Sequence, residues 1–263
     1  MHWLVLHLSF VWLSIVVIGG CIAAALLIAL VCHIVLWRNR ATEETNEELR
    51  QLFSVGAVLF SVIIGFLAVV AWERYLNVQQ NVVSEAASVQ AAYRESGLLD
   101  APTGQPIRTG LARYAQLVVR DEWPELADGK SSPAVARQLD AVWTAADTVK
   151  SSSDGQITIG TSVAESLTAV TKGRQTRLYD SAVGLPWFFW TFVLAYAVFL
   201  VVMFNLFKNR RLGPQLGLNV ILGLVIGAVC LFILLIDYPF AGDTAIRPAA
   251  FRQALQQMHE DAI

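Results

Sequence analysis

Four long apolar runs near the two ends of the chain dominate its pattern of hydrophobic and polar positions. They cover residues 11–37, 52–72, 185–207 and 216–236, and none of them contains Lys, Arg, Asp or Glu. A bilayer core about 30 Å thick needs about 20 apolar helical residues to cross it, so each run is long enough. The pattern predicts an all-α, polytopic membrane protein with four transmembrane helices.

The first run could instead be a secretory signal peptide. Residues 1–10 contain no Lys or Arg, and no small-residue cleavage site follows the apolar run. The run is also longer than the apolar core of a signal peptide. These features favour a retained membrane span.

The runs divide the chain into four parts. We expect transmembrane hairpins at 1–72 and 185–236, a helical-bundle insert at 73–184, and a turn with a short interfacial helix at 237–263. Within the insert, the apolar period continues the second span as one helix to about residue 93. Further helices are predicted from about 107, 133 and 161, and residues 100–106 are predicted to form a loop.

Basic residues in the short loops predict the orientation. Short loops rich in Lys and Arg stay in the cytoplasm, whereas long loops hardly count. The loop between the first two runs and the loop between the last two both qualify, with Arg38, Arg40, Arg50, Lys208, Arg210 and Arg211. Both termini and the 73–184 domain are therefore predicted to be extracytoplasmic, in a bacterial inner membrane.

Composition excludes several classes of function. The net charge of −2 gives no indication of nucleic-acid binding. The insert contains no His and no Cys, which removes the usual zinc sites and nucleophilic triads. No Gly-rich phosphate loop is present. We therefore expect no enzyme, no catalytic residue, no metal site and no cofactor.

Isolated polar and thiol residues have ordinary interpretations. Asp121 and Glu122 are adjacent, and adjacent helical residues do not face each other, so a solvated helix end is favoured over an acid/base pair. Ser84 and Glu85 likewise have ordinary interpretations. The three cysteines, Cys21, Cys32 and Cys230, lie inside spans and are expected to be small apolar packing residues.

Small residues mark two spans. Gly223 and Gly227 form a GxxxG pair, with Gly217 earlier in the same span, and this spacing favours close helix packing. The second span carries a small-residue face that could be a packing seam or could line a pore. A pore face would include Phe60, Ile64 and Leu67 as an apolar constriction. The pore-lining candidates are Ser54, Ala57, Phe60, Ser61, Ile64, Gly65, Leu67 and Ala68.

The charged residues nearest the membrane lie at the ends of the spans. Intramembrane charges mark proton and ion pathways, and no run contains one, which argues against a proton-coupled pump. Channel selectivity would then come from rim charges, for which the candidates are Glu73, Arg74, Asp237 and Asp243. After the fourth run, Pro239, Phe240 and Gly242 predict a sharp turn, and Pro248 is expected to open a short helix.

The tail sequence Asp-Tyr-Pro-Phe-Ala-Gly-Asp at 237–243, followed by Pro248 and Phe251, resembles the signature of the bestrophin-like membrane family, a domain family of unknown function. Weaker matches are Trp-Glu-Arg-Tyr at 72–75, Glu-Ala at 85–86, Tyr114, and Glu-Trp-Pro at 122–124. The resemblance extends from about residue 47 to 255.

The resemblance implies a function and an assembly. Proper bestrophins are homopentameric anion channels in which the second of four spans lines the pore. It implies that this chain forms a homo-oligomer, with a pentamer as the expected assembly, that passes ions across the lipid bilayer. Asp243 would match the first acid of the bestrophin calcium clasp. The next residues are Thr, Ala and Ile rather than further acids, and a calcium site needs six to eight oxygen ligands, so no calcium site is expected.

Two hypotheses from different classes follow. The first is a homo-oligomeric channel in which the second span lines the pore and the insert forms a vestibule. The second is a non-conducting interaction or sensor protein whose insert binds a partner or ligand.

The resemblance and the charge bias disagree on orientation. In bestrophins the turn after the fourth span lies in the cytoplasm, whereas the charge bias of this chain places the turn outside. We expect the orientation that the Lys and Arg residues indicate.

Overall fold

The computed structural model describes residues 5–6, 8–36, 43–151, 154–206 and 212–261. Within these ranges the chain is helical and has no strand. The α-helices are α1 (Phe10–Leu36), α2 (Glu43–Ser96), α3 (Ala101–Leu117), α4 (Trp123–Leu126), α5 (Pro133–Asp147), α6 (Asp154–Ala182), α7 (Trp187–Asn205), α8 (Leu212–Asp237) and α9 (Ala249–Glu260). A π-helix, Val118–Glu122, joins α3 to α4, and a 3₁₀ turn, Thr148–Ser151, follows α5.

The all-α class is confirmed. Four of the described helices are long and apolar enough to cross a membrane, namely α1, the first half of α2, α7 and α8. Of the basic residues used for orientation, Arg50 lies in the first turns of α2, and the other five lie outside the described residues. The chain is therefore an integral membrane protein, and its orientation stays a prediction.

The second span continues beyond the apolar run as a single helix of 54 residues, as predicted. The predicted loop at 100–106 is wrong, because α3 begins at Ala101. Pro102 lies in the first turn, where the missing N–H would have had no helical partner. The prediction of a helix start near 161 is also wrong, since α6 begins at Asp154.

The described chain divides into two compact units, Met1–Arg74 with Leu185–Asp237, and Tyr75–Gly184 with Tyr238–Ile263. In the first, which we call the membrane unit, α1 packs most closely against α8. Its apolar core includes Ala25, Ile64, Val193, Ala197, Val201, Ile226 and Cys230. The membrane unit therefore has a core of its own, built from all four spans.

Two asparagines close the membrane unit at one end. Asn205 of α7 and Asn219 of α8 are buried and exchange amide hydrogen bonds of 2.9 and 3.0 Å. The Gln215 side chain donates a further bond of 3.0 Å to the Asn205 carbonyl oxygen. Buried amides are costly unless they are paired, so this mutual pairing holds α7 and α8 together next to their connecting loop.

The second unit, which we call the helical unit, is built from the end of α2, α3 to α6 and α9. Its core is formed by apolar side chains that recur at helical spacing. Examples are Ile107 and Leu111 on α3, Val118 on the π-helix, and Val163 and Leu167 on α6. The tail helix α9 contributes Phe251, Ala254 and Met258 to this core. The short tail helix predicted after Pro248 is thereby confirmed.

Candidate functional site

The second span has one exposed and one covered side within the membrane unit. The exposed side carries large apolar residues: Val55, Val58, Leu59, Val62, Phe66, Val69 and Val70. Ser54, Ser61 and Gly65, three of the predicted pore-lining residues, are also exposed. Every polar group on this side within 54–70 is a serine hydroxyl, and the Ser61 hydroxyl donates to the Val58 carbonyl oxygen at 2.8 Å.

The other predicted pore-lining residues lie on the covered side. The Phe60 ring stacks on Tyr196 of α7, with centroids 5.3 Å apart and planes 7° from parallel. Ile64 is only 8% exposed, and Leu67 packs against the same core. Ala57 and Ala68 are half-buried. The structure therefore separates the candidates into two groups, and the three residues proposed as a constriction contact their own subunit.

The span ends are connected through Asp237. Its side chain is 1% exposed and lies 3.6 Å from the Arg74 guanidinium. The Asp237 carboxylate also accepts the Leu185 backbone N–H at 2.5 Å and the Trp190 indole N–H at 3.4 Å. Asp237 thus joins the ends of the second and fourth spans to the start of the third. Of the four predicted rim charges, the structure brings Arg74 and Asp237 together.

The remaining two rim residues, Glu73 and Asp243, are both exposed. Glu73 lies in the membrane unit, whereas Asp243 belongs to the helical unit.

Asp243 follows the predicted turn, in which the Ile246 N–H donates to the Pro239 carbonyl oxygen at 2.8 Å. Gly242 has a φ of 72°, a conformation that favours glycine. Phe240 is buried, and its ring lies edge-on to Trp123 at 5.8 Å.

The glycines of α8 differ in their surroundings. A Cβ atom on Gly223 would lie 2.7 Å from the Ile22 Cα atom, and one on Gly227 would lie 2.8 Å from the Ile18 Cα atom. Neither distance leaves room for a side chain, so these two glycines permit the close approach of α1 and α8. A Cβ atom on Gly217 would meet no atom within 4 Å.

A buried cluster of charges in the helical unit was missed at the level of sequence. The Arg177 side chain is completely buried and donates from Nε to Glu85 at 2.7 Å and from Nη2 to Glu122 at 2.9 Å. Arg174 also donates to Glu122, at 2.5 Å, and the Tyr114 hydroxyl donates to Glu85 at 2.9 Å. The interpretation of Glu122 as a solvated helix end is therefore wrong, and Glu85, to which the sequence assigned no special role, is also buried.

The cluster is electrically balanced and shapes the pKa values of its members. Burial raises the pKa of Glu122, but hydrogen bonds and charge from Arg174 and Arg177 outweigh that effect and hold the pKa below its usual range. Burial and the Glu85 carboxylate raise the pKa of the Tyr114 hydroxyl well above its ordinary value. We therefore take the Glu122 carboxyl group as ionised and Tyr114 as neutral near pH 7.

Local structure brings these groups together. The π-helix ends at Glu122 and directs that carboxylate toward α6. Single π-helical turns are frequently found at functional sites. A Cβ atom on Gly173 would lie 2.8 Å from the Glu85 Cβ atom, so this glycine lets α6 approach α2. The Arg177 guanidinium lies 5.6 and 5.7 Å from the Trp123 and Phe251 ring centres, which links the cluster to the tail helix.

The arrangement suits a structural role in the helical unit. Its arginines and glutamates neutralise one another, and the cluster lies in a packed core rather than at a cleft. Within the described ranges, no three His, Cys, Asp or Glu residues are grouped closely enough to hold a metal ion. The exposed side of the second span and its ends remain the candidate features for contact with ions.

Comparison with known proteins identifies the family. Residues 19–251 match the sequence model of the Bestrophin-like domain. No curated protein matches the chain.

Solved structures show a similar fold. A crystallised point variant of a bacterial bestrophin homologue from Klebsiella pneumoniae superposes with a TM-score of 0.69 at 10% identity, over 93% of this chain and 98% of that chain. A second variant of it gives 0.67 at 11% identity, over 92% and 96%. A structure described as a membrane protein gives 0.67 at 12% identity, over 92% and 97%. At these identities the likeness shows the fold alone. Since the family model covers most of the sequence, the chain belongs to the bestrophin-like family.

Proposed function

We propose that this protein is a homo-oligomeric ion channel in which the second span lines the pore and the helical unit forms a vestibule. Membership of the bestrophin-like family supports an ion channel at the level of the family. The similarity to proper bestrophins makes a pentamer the first assembly to test. The charge bias of the short loops supports a vestibule outside the cytoplasm of a bacterial inner membrane.

The observation that carries this proposal is the long exposed side of the second span. Phe66 is 70% exposed and Val62 is 51% exposed, although the opposite side of the same helix is packed against α7. The closest backbone packing in the membrane unit joins α1 to α8 at Gly223 and Gly227. Of the four candidate spans, the second also has the smallest share of its apolar segment buried within the subunit, so its exposed side is the one we assign to the symmetry axis.

This packing refines the pore-lining proposal. Ser54, Ser61 and Gly65 lie on the exposed side and keep their proposed role as pore-lining residues. Val62 and Phe66 replace Ile64 and Phe60 as the proposed apolar constriction, because rings of large apolar residues gate by excluding water. Phe60, Ile64 and Leu67 would then support the pore helix from behind.

Conduction by the purified protein in planar bilayers tests the proposal. Phe66→Ala should change the unitary conductance, because it widens the constriction without emptying a packed core. Ile64→Ala is the matched control, since it removes a side chain from the covered side and should lower thermal stability while leaving conductance nearly unchanged. Absence of current under all ion gradients from a folded oligomer would contradict the proposal and favour the non-conducting sensor.

A further inference from the structure

The covered side of the second span ends at a charged residue. Steps of four, three, four and three residues along α2 define one helical face, which carries Phe60, Ile64, Leu67, Ala71 and Arg74. The first three belong to the apolar core of the membrane unit, and Ala71 is 2% exposed. Arg74 continues this face, and its side chain is only 25% exposed. The arginine therefore turns toward its own subunit and away from the exposed side.

A buried carboxylate receives this arginine. The Asp237 side chain is 1% exposed, and its Oδ1 atom lies 3.6 Å from the Arg74 Nη1 atom. The same Oδ1 atom accepts the Leu185 N–H at 2.5 Å, and Oδ2 accepts the Trp190 indole N–H at 3.4 Å. All three neighbours are donors, so an ionised carboxylate suits this place, whereas an amide would turn a donor toward one of them. A buried charge is costly unless it is paired, so Asp237 and Arg74 depend on each other.

The opposite side of the same helix is open, and the pair restrains it from behind. Phe66 is 70% exposed and Val70 is 48% exposed. Phe66 precedes Arg74 by two turns of α2, which is about 12 Å along the axis at about 1.5 Å per residue. Helices bend only gently over such a length unless Pro or a bulge interrupts them. A shift of α2 at Arg74 therefore moves Phe66 as well.

We infer that Asp237 is a positioning residue that holds the end of the pore helix through Arg74 and thereby sets the width of the pore at Phe66. This inference rests on the proposed function and adds the residue that regulates it. Asp237 acts from the end of α8 and the start of α7, so its carboxylate does not need to touch an ion. Breaking the pair frees α2 to move against these two helices. The copies of Phe66 around the axis then no longer keep one separation.

The mobility of a spin label on α2 tests the inference without requiring conduction. The label is attached to Val70→Cys in the purified full chain, after the three native cysteines are replaced by Ala. Asp237→Asn should shorten the rotational correlation time of the label, because the helix end is no longer held. Glu73→Gln is the matched control, since it removes a neighbouring charge from the exposed side and should leave the spectrum unchanged. An unchanged spectrum in Asp237→Asn, or the same change in Glu73→Gln, would overturn the inference.

Single-channel recording separates positioning from stability. Asp237→Asn and Arg74→Met should each change the open probability by about tenfold, a size typical of coupling between two sites. Because both substitutions break the same pair, the double variant should show no further change. Arg74→Met leaves the Asp237 bonds to Leu185 and Trp190 in place, so it tests the pair even where Asp237→Asn does not fold.

An open probability that neither substitution changes, or two effects that simply add, would overturn the inference while leaving the channel itself in place. Absence of current from the wild type would instead contradict the proposed function. In that case the spin label on α2 still decides whether Asp237 holds the helix end.

Discussion

At the scale of single residues, the buried charges of the helical unit are the feature most sensitive to change. Arg177 contacts Glu85 and Glu122, and all three side chains are inaccessible to water. Removing one member of a buried ion pair leaves the other charge buried without compensation. The consequence should be far larger than for a charge pair on the surface.

We therefore expect Arg177→Met to lower the free energy of unfolding by about 3–5 kcal/mol. Thermal unfolding of the detergent-solubilised protein, followed by circular dichroism, provides the measurement. The control is Arg120→Met, because Arg120 forms an exposed pair with Asp121 and exposed pairs contribute little. Equal effects of the two substitutions would contradict the structure of the cluster.

The lowered pKa of Glu122 predicts that the stability of the fold depends on pH. Because Arg174 and Arg177 hold this pKa below its ordinary value in the folded protein, the ionised carboxylate stabilises the fold above the unfolded pKa of about 4.3. That contribution is lost as the pH falls below this value and through the folded pKa. Glu122→Gln should reduce the slope of melting temperature against pH in this window, whereas Glu125→Gln, at an exposed site, should leave the slope unchanged.

The position of these charges could have been predicted from the sequence, and their pairing could not. Glu122 follows Val118 by four residues, so it continues the apolar stripe of Ile107, Leu111 and Val118. Glu85 and Arg177 fall on equally apolar stripes of their own helices. Charges of opposite sign on three buried stripes indicate a buried network. Which pairs form depends on the tertiary arrangement of α2, α6 and the π-helix, which no local pattern encodes.

At the scale of elements, the contact between α1 and α8 depends on two glycines. Small residues allow transmembrane helices to approach closely, and Gly223 and Gly227 face backbone atoms of α1 rather than flexible side chains. Gly217 was predicted from the same motif, but it has open space around it within the subunit. The sequence identifies the glycine motif, whereas only the structure shows which members of it are in contact.

Gly227→Leu should separate α1 from α8 and destabilise the membrane unit, because the new Cβ atom would lie within 3 Å of the Ile18 Cα atom. Gly217→Leu in the same helix is the matched control and should be tolerated by the single subunit. Melting temperature and the yield of monodisperse protein on size-exclusion chromatography measure the difference. Similar losses for both variants would contradict the close packing at Gly227.

The second span shows the limit of sequence at this scale. Its length and apolar character were predicted correctly, and so was its continuation as one helix to Ser96. Nothing in an apolar run distinguishes the side that faces its own subunit from the side that faces a neighbour, a pore or lipid, since all are apolar. The assignment of Phe60 to the covered side depends on its stacking with Tyr196, a partner more than a hundred residues away in the sequence.

At the scale of the whole molecule, the orientation in the membrane is the first property to establish. The basic short loops predict an extracytoplasmic helical unit. After replacement of the three native cysteines, Ser84→Cys in the helical unit should react with a membrane-impermeant thiol reagent in intact cells. Gln51→Cys, at the opposite end of the second span, should react only in broken cells. The reverse pattern would place the helical unit in the cytoplasm.

The central claim is that several copies of the chain surround an ion path with the exposed side of the second span. A cryo-electron microscopy map of the purified particle tests it most directly, because symmetry and the identity of the innermost helices are visible together. We predict a rotationally symmetric particle with an axial opening lined by α2, with Phe66 directed toward the axis. A single subunit, or a ring whose second spans face lipid around a closed centre, would contradict the claim.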